Sequence, residues 1–467
     1  MKNMRWLLPL LLCGCSVLGT PWQRPPMALP ASWSQPLPGQ QQQAEEGFWQ
    51  GWQDPQLLAW IDKGLQANRD RQLALARIRE ARAQQRIVGS DDLPVVDAAG
   101  SLIRDRVSEK NRVPLYGLPN PVTLQQVGFD ARWEWDLFGQ HALEQQAAQA
   151  DRLAAERGYA ALGVSLAAEV AVSYCDWRLA RQQIALLQQQ AAINRTLLQL
   201  VKSRVQAGLN PELDRHRAED QVLQVEARLP AAQAAVGLAL RRLAILTGGQ
   251  ADDLLSAEPA ATPLPTTVPP LPALLPAALL DRRADLQAAE AKARAAQARI
   301  GAAEGEQWPE LSLAATVGSL SVAPGGLLSP ASRFFQLGPQ MKWPLFHGQA
   351  LQAAVEVAEA RRDQELIAWQ KAAAEAIEEV EKALLRHQEA IERDEKLLRA
   401  LTAQQQAMQL ATVRYERGMS DFSVPLELAR QVMNMELERL EMQHQRLSSG
   451  IALYKALGGG WQREERE

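Results

Sequence analysis

The chain has 467 residues, and its 50 lysines and arginines against 54 aspartates and glutamates give a net charge of −4. Without an excess of basic charge, no nucleic-acid partner is expected. Hydrophobic residues make up 47% of the chain and aromatic residues only 5%, and the abundance of alanine, leucine and glutamine favours long helices.

The first residues have the layout of a secretory signal peptide. Lys2 and Arg5 come before an apolar run that extends from Trp6 to Leu12. A transmembrane helix needs roughly 20 apolar residues. The run is therefore too short to span a bilayer, and a helical transporter is not expected.

The end of this run predicts a lipid anchor. Leu12-Cys13-Gly14-Cys15 resembles a bacterial lipobox, which implies that residues 1–14 are removed and that Cys15 is acylated. Several acyl chains anchor a protein far more firmly than one. Ser16, at the next position, indicates sorting to the outer membrane. The alternative is an ordinary secretory signal in which the Gly-Cys pair is a coincidence.

Residues 15–50 are predicted to be an extended leash between the lipid and the folded chain, because proline and glutamine cluster there. Cys13 leaves with the signal and Cys15 carries the lipid. Only Cys175 then remains, so no intrachain disulfide is expected even in an oxidising periplasm.

The rest of the chain is predicted to be two tandem repeats, at residues 51–255 and 277–459, with a proline-rich linker at 256–276 and a polar tail at 460–467. Three pairs of segments, 208 to 213 residues apart, carry this interpretation. The pairs are Leu73–Ile87 with Leu286–Ile300, Trp135–Gly139 with Trp343–Gly348, and Gly208, Gln221 and Gly248-Gly249 with Gly418, Gln431 and Gly458-Gly459.

Each repeat is predicted to contain a helix, a strand, a loop, a strand, a long helix, a turn and a helix. Residues 140–207 contain no proline, and residues 349–417 contain neither proline nor glycine. At a rise of 1.5 Å per residue, each would form a helix about 100 Å long, which exceeds the diameter of a compact domain. Shorter helices are predicted at 57–88, 211–247, 276–303 and 425–457.

Strands are predicted at 93–107, 127–137, 309–322 and 335–345. In the second of them, apolar residues alternate with polar ones. A strand of a soluble sandwich can alternate in the same way, but Trp133, Trp135 and Trp343 also resemble the aromatic girdle of a membrane barrel. Four strands cannot close a barrel, which needs about 8 or more, whereas three chains would supply 12.

Taken together, these features resemble the TolC-like outer-membrane factors, specifically the OprM-type lipoprotein branch, over nearly the whole mature chain. The most specific motifs are Arg282-Arg283-Ala284-Asp285-Leu286, Arg299-Ile300-Gly301, Trp308-Pro309, Trp343-Pro344-Leu345-Phe346, and the two hairpins ending at Gly208-Leu209 and Gly418.

The resemblance implies a mostly α-helical fold with a membrane β-barrel portion. Four strands per chain would contribute to a 12-stranded trimeric barrel, continued by a long α-helical tunnel through the periplasm. It also implies a homotrimer in outer-membrane lipid, a periplasmic adaptor and an inner-membrane pump as partners, no cofactor besides the lipid on Cys15, and no catalytic chemistry.

The hairpins at Gly208 and Gly418 are predicted to form the periplasmic tip, because each ends a long helix where left-handed backbone is needed. In the family, an acid faces the closed pore in the pattern Tyr-x-x-Gly followed by Leu-Asp. Tyr415 and Gly418 match this pattern, and Glu427 takes the place of the acid. The resemblance therefore implies that Tyr415 and Glu427 are pore-constriction residues.

Threefold symmetry would make Glu427 a ring of three like charges, which favours protonation or cation binding. Alternatively, Glu427 occupies the first turn of a helix, where an acid offsets the dipole. Asp421 is a further constriction candidate. Arg417 is another, because it could pair with these acids on a neighbouring helix and hold the gate shut, although exposed pairs contribute less than about 1 kcal/mol each.

Five methionines concentrate near the predicted tip, and thioethers can bind Cu(I). They are Met408, Met419, Met433, Met435 and Met442. The simpler interpretation is that they fill gaps between packed helices. The histidines are dispersed without metal-ligand spacing, so no metal site is predicted, and no nucleotide-binding or hydrolase motif supports an enzyme.

The sequence thus predicts a passive outer-membrane exit duct of a tripartite, RND-type efflux system that exports small molecules such as drugs or siderophores. One alternative is a copper or silver efflux duct. Another is a structural coiled-coil lipoprotein without a pore, which would have no need for strands that are polar on one face and apolar on the other.

Overall fold

The computed structural model of the chain describes residues 19–36, 48–106, 108, 110, 120–249, 263–265, 268–272, 274–323 and 325–459. The predicted signal at 1–14, the lipidation site Cys15 and the tail at 460–467 lie outside the described residues. Parts of the leash and of the linker do so as well.

Two 67-residue helices dominate the fold, as the absence of proline from these stretches predicts. The helices are α1 (Phe48–Gly51), α2 (Pro55–Ala67), α3 (Arg69–Gly89), α4 (Gln140–Gln206), α5 (Glu212–Glu226), α6 (Leu229–Leu246), α7 (Leu279–Arg282), α8 (Ala284–Gly305), α9 (Ala350–Glu416) and α10 (Ser423–Ala456). The two long helices are α4 and α9, and both end within a residue of the predicted positions.

The prediction of one helix at 57–88 is wrong, because Asn68 separates α2 from α3. Asn68 has extended backbone, with a ψ of 135°, at the end of α2. Its side-chain oxygen accepts hydrogen bonds from the backbone N–H groups of Asp70 at 2.9 Å and Arg71 at 3.1 Å. An asparagine in this position satisfies the free N–H groups of a new helix start.

The predicted helix at 211–247 is likewise two helices, α5 and α6. Pro230 stands at the start of α6, where its missing N–H needs no partner. In the interior of a continuous helix the same ring would clash with the preceding turn. The predicted helix at 276–303 is a 3₁₀ turn followed by α7 and α8, with a break at Arg283.

The strands are β1 (Val95–Asp105), β2 (Val122–Trp135), β3 (Glu310–Ser321) and β4 (Arg333–Lys342), in good agreement with the sequence. They form one four-stranded sheet in the order β1-β2-β3-β4, with every neighbour antiparallel. Each repeat contributes one hairpin, and the β2–β3 pairing joins the two hairpins.

The chain divides into two compact units. One contains Arg77–Ala155 and Ala288–Trp369, with the segment that ends at Pro26, and it includes the sheet. The other contains Met27–Ala76, Glu156–Gln287 and Gln370–Glu467. Its main core is helical and is built around buried residues such as Val170, Leu243 and Ile451.

Two helical stretches, within Gln140–Gln206 and within Glu212–Leu246, are long and apolar enough to cross a membrane by length and composition. Half of the apolar 18-residue segment within the first stretch is buried inside the fold. There α4 places Val170, Ala171 and Tyr174 in the helical core, and a core helix meets the same criteria as a membrane helix.

Candidate functional site

The four-stranded sheet exposes a continuous apolar face. Residues directly opposite each other in antiparallel strands share a face, and the register places Ala98, Phe129, Val317 and Phe335 in one row across the sheet. The large apolar residues exposed on this face are Val96, Leu102, Val127, Phe129, Trp133, Val317, Phe335, Leu337 and Met341. An exposed apolar surface of this extent marks a contact with lipid or with another protein.

The opposite face of the sheet carries most of its charged residues, most of them acidic, beside the exposed apolar side chains of Val95, Ile103 and Leu320. Asp97 and Asp130 face each other across β1 and β2, and Thr316 Oγ1 donates a hydrogen bond to Asp130 Oδ1 at 2.8 Å. Glu310 forms an ion pair with Arg132 and lies 3.9 Å from Lys342 Nζ. This face is suited to water.

The predicted girdle tryptophans lie at one end of the apolar face. The rings of Trp133 and Trp135 meet edge to face, with centroids 5.7 Å apart. Trp133 Nε1 donates a hydrogen bond to the backbone oxygen of Asp92 at 3.0 Å. Trp343 follows the last residue of β4 and is exposed. Their contact with a membrane interface stays a prediction.

The base of the sheet, which is the end where β2 ends and β3 begins, also holds a buried histidine that sequence reasoning missed. His141, at the start of α4, lies between two acids, with Nδ1 3.7 Å from Asp92 Oδ1 and Nε2 3.6 Å from Glu134 Oε1. It lines a cavity of about 380 Å³ together with Trp308 and His347. In the part of the chain that the structure describes, no group of three or more histidine, cysteine, aspartate or glutamate side chains is arranged to hold a metal ion.

The two predicted tip glycines occupy matching turns. Gly208 and Gly418 both have a φ of 73°, in the left-handed region that favours glycine. In each turn the glycine N–H donates to the carbonyl three residues earlier, and the next residue donates to the carbonyl five residues earlier, all at 2.9 Å. These bonds satisfy carbonyl groups at the ends of α4 and α9.

Tyr415 connects the second turn to the first. It is 5% exposed, and its ring lies 5.4 Å from that of Phe422, between centroids. The Arg204 guanidinium lies 4.7 Å from the centroid of the Tyr415 ring. Asn210 Nδ2 donates to Tyr415 Oη at 3.2 Å and to Asp214 Oδ2 at 2.9 Å. Sequence reasoning missed Asn210 and Arg204, although Asn210-Pro211 is a turn signal.

Glu427 is exposed and is held by its own helix. Arg430 donates to both carboxylate oxygens, at 2.7 and 3.0 Å, and Gln431 donates to one of them at 2.9 Å. The hydrogen bonds from Arg430, and then those from Gln431, hold the pKa of Glu427 below its usual value. Within one chain, Arg430 therefore favours the ionised carboxylate.

The helix containing Glu427 begins earlier than the sequence predicts, at Ser423. Glu427 therefore lies beyond the first turn, so the alternative interpretation as a first-turn acid does not fit the structure. Asp421 and Arg417 are both exposed in the turn region. Within the described ranges, no ion pair joins Arg417 to an acid, and Arg430 is the arginine that pairs with Glu427.

The methionines near the tip are placed differently from one another. Met433 is buried in a small cluster with Leu187 and Val225, and Met442 is buried as well, whereas Met419 is exposed. The packing of Met433 against residues of α4 and α5 fits the simpler interpretation, in which methionines fill gaps between packed helices.

Comparisons with known proteins agree over the whole fold. The family model of the outer membrane efflux protein matches residues 60–249 and 275–459. Outer membrane protein OprJ of Pseudomonas aeruginosa is 32% identical over 470 residues, which cover 97% of this chain and 95% of OprJ. Solvent efflux pump outer membrane protein SrpC of Pseudomonas putida is 29% identical over 480 residues, or 98% of each chain. The solved structure of the outer-membrane channel OprN is 28% identical, with a TM-score of 0.85 over 96% of this chain and 100% of that one.

Proposed function

Because the chain belongs to the outer membrane efflux protein family, we propose that it is the passive exit duct of a tripartite, RND-type efflux system in the outer membrane. Small molecules such as drugs or siderophores would pass through it from an inner-membrane pump and a periplasmic adaptor to the exterior. The observation that carries the proposal is the sheet with one exposed apolar face and one polar face. Such a sheet fits a wall between lipid and a water-filled lumen.

The duct requires several copies of the chain. Within the described residues, β1 and β4 have no partner along their outer edges, and an open edge in lipid leaves backbone groups unpaired at a cost of several kcal/mol each. Three copies supply 12 strands, the number that the resemblance to TolC-like factors implies. A homotrimer would pair every edge.

The tip turns at Gly208 and Gly418 are proposed to form the periplasmic end of the duct and to meet the adaptor. Tyr415, Glu427, Asp421 and Arg417 would line its constriction. The contact between Tyr415 and Asn210 supports this role, because moving the second hairpin away from the first must break it. Each Glu427 is paired with Arg430 of its own chain, so three copies of the pair would add no net charge at this end.

Cys15 is proposed to carry the lipid anchor, which would hold the chain at the outer membrane before and after the barrel assembles. No cofactor other than this lipid enters the proposal. The anchor adds to the barrel but does not replace it, because acyl chains do not cover the exposed apolar face of the sheet.

Small organic molecules are the cargo that we favour. SrpC is named for solvent efflux, and it matches this chain along nearly its whole length. Copper or silver is the alternative, but two of the five methionines that could line a metal path, Met433 and Met442, are buried. Cells lacking the gene should become sensitive to organic solvents or drugs. Sensitivity to copper or silver alone would favour the alternative.

The pore itself is tested with detergent-extracted protein in planar bilayers, after its oligomeric mass has been measured. Trimers that conduct in discrete steps are expected. Phe129→Lys, which puts a charge on the apolar face, should abolish insertion, because a lysine facing lipid costs about 2–4 kcal/mol per chain. Asp130→Lys, one residue away on the polar face, is the matched control and should still insert. A monomer that never conducts would instead support a coiled-coil lipoprotein without a pore.

A further inference from the structure

The base of the sheet contains an aromatic contact whose counterpart in the other repeat is unpaired. Phe138 follows β2, and its ring packs on that of Trp308, with centroids 5.1 Å apart. Trp308 lies just before β3, the strand that pairs with β2. This contact therefore joins the end of the first hairpin to the beginning of the second.

The tandem repeats define the equivalent positions. Trp343-Pro344-Leu345-Phe346 after β4 repeats Trp135-Asp136-Leu137-Phe138 after β2, so Phe346 corresponds to Phe138. Leu93-Pro94 before β1 corresponds to Trp308-Pro309 before β3. Phe346 is 89% exposed and Leu93 is 62% exposed. They lie next to β4 and β1, the two opposite edges of the sheet, so one open sheet cannot bring them together.

Closure of the proposed trimer pairs β4 with β1 of the next copy. We propose that this pairing takes the register of β2 with β3, so that Phe346 packs against Leu93 of a second copy of this chain. The inference rests on the proposed function, because a closed barrel needs several chains. It goes beyond that function by naming the contact and the strand register that join one copy to the next.

The register follows from the β2–β3 pairing inside the chain. Trp135 lies opposite Leu311, which is two residues after Pro309. The same rule places Trp343 opposite Val96 of the second copy, and hence Met341 opposite Ala98. Ala98 shares a row with Phe129 on the apolar face, so the apolar face continues from one chain to the next. A shift by one residue would place the polar residues of one copy beside the apolar residues of the next.

Charges on the polar face agree with this register. Asp97 lies opposite Asp130 within its own chain, and like charges in facing positions repel. The register places Lys342 opposite Asp97 of the second copy. A lysine beside the two facing aspartates offsets their repulsion, and it reaches them only when two copies meet.

Crosslinking in membranes tests the contact. Leu93→Cys and Phe346→Cys are combined in a chain that also carries Cys175→Ala, and a short bis-maleimide is added before denaturing electrophoresis. Covalent dimers and trimers are expected from the double variant, and no trimers from either single variant. Phe138→Cys with Trp308→Cys is the matched control, and it should crosslink within one chain and keep the mobility of a monomer.

The outcomes separate the inference from the proposed function. If the protein forms conducting trimers but the Leu93 and Phe346 cysteines do not join different chains while the control pair reacts, the inference is wrong and the duct stands. If neither trimers nor conductance are found for the unmodified protein, both fail.

A charge exchange gives a second test that needs no cysteine. The two changes are Lys342→Asp and Asp97→Lys. Each change also alters contacts within its own chain, because Lys342 lies 3.9 Å from Glu310 and Asp97 faces Asp130. A comparison of both single variants with the double variant separates these effects: trimers of Lys342→Asp with Asp97→Lys should dissociate at a higher temperature than the two single changes added together give. If the double variant is as unstable as the two changes combined, Lys342 and Asp97 are not partners and the register is wrong.

Discussion

Truncation of Tyr415 should loosen the tip turns while leaving the main helical core intact. Tyr415→Ala removes a buried ring that packs on Phe422 and lies against Arg204. Loss of a buried aromatic side chain lowers the free energy of unfolding by about 3–5 kcal/mol. Tyr415→Phe removes only the hydroxyl that accepts from Asn210. Since Asn210 keeps Asp214 as a partner at 2.9 Å, this change should cost about 0.5–1.5 kcal/mol.

Hydrogen exchange of the detergent-extracted protein locates the loss. The cluster around Tyr415 has only a few buried members and is separate from the main core, so faster exchange is expected near Gly208 and Gly418 but not near Ile451. Tyr454→Ala is the matched control: Tyr454 stacks on Phe48 at 3.8 Å in the main core, and its loss should leave the tip unchanged. If Tyr415→Ala leaves exchange at both turns unaltered, the cluster does not hold the tip together.

Three further changes have calculable consequences. Burial raises the pKa of the Cys175 thiol to about 12, so maleimide should label Cys175 in the native protein at pH 8 far more slowly than in denaturant, and equal rates would contradict its burial. Gly208→Ala and Gly418→Ala should each lower the free energy of unfolding by about 1–2 kcal/mol, measured with denaturant, because the left-handed backbone disfavours any side chain. Gly158→Ala, inside α4, is the control and should be neutral or stabilising. Burial alone would raise the pKa of Glu290, but hydrogen bonds from Arg24 and Arg294 hold it below 4.5. Glu290→Gln should therefore lower the free energy of unfolding by roughly 1–2 kcal/mol at pH 7. This difference from the unmodified protein should shrink as the pH falls below 4.5, and a difference that grows on acidification would contradict the lowered pKa.

The long helices and the sheet could be predicted from the sequence because their signals are local. Proline is missing from the whole of α4 and α9, and the alternation along β2 assigns each side chain to a face without knowledge of its neighbours. The tandem repeats then placed the second hairpin by analogy with the first.

The helix breaks and the tip contacts depend on information that is not local. Asn68 reads as an ordinary helix-surface residue until its side chain is seen to cap α3. The bond between Asn210 and Tyr415 joins residues 205 positions apart, and no spacing rule finds it. The pairing of Arg430 with Glu427 follows from a local rule, because residues three apart on a helix are neighbours. Arg417, the partner that the sequence suggested, lies on the other side of the turn.

The chemical accessibility of two adjacent positions in β2 tests the membrane wall most directly. Phe129→Cys and Asp130→Cys, each with Cys175→Ala, are exposed in proteoliposomes to a charged, water-soluble thiol reagent while conductance is recorded. The reagent should modify the cysteine at 130 and reduce the current, and it should leave the cysteine at 129 unmodified in lipid. Equal modification at both positions would show that water reaches both faces of the sheet, which contradicts a barrel wall.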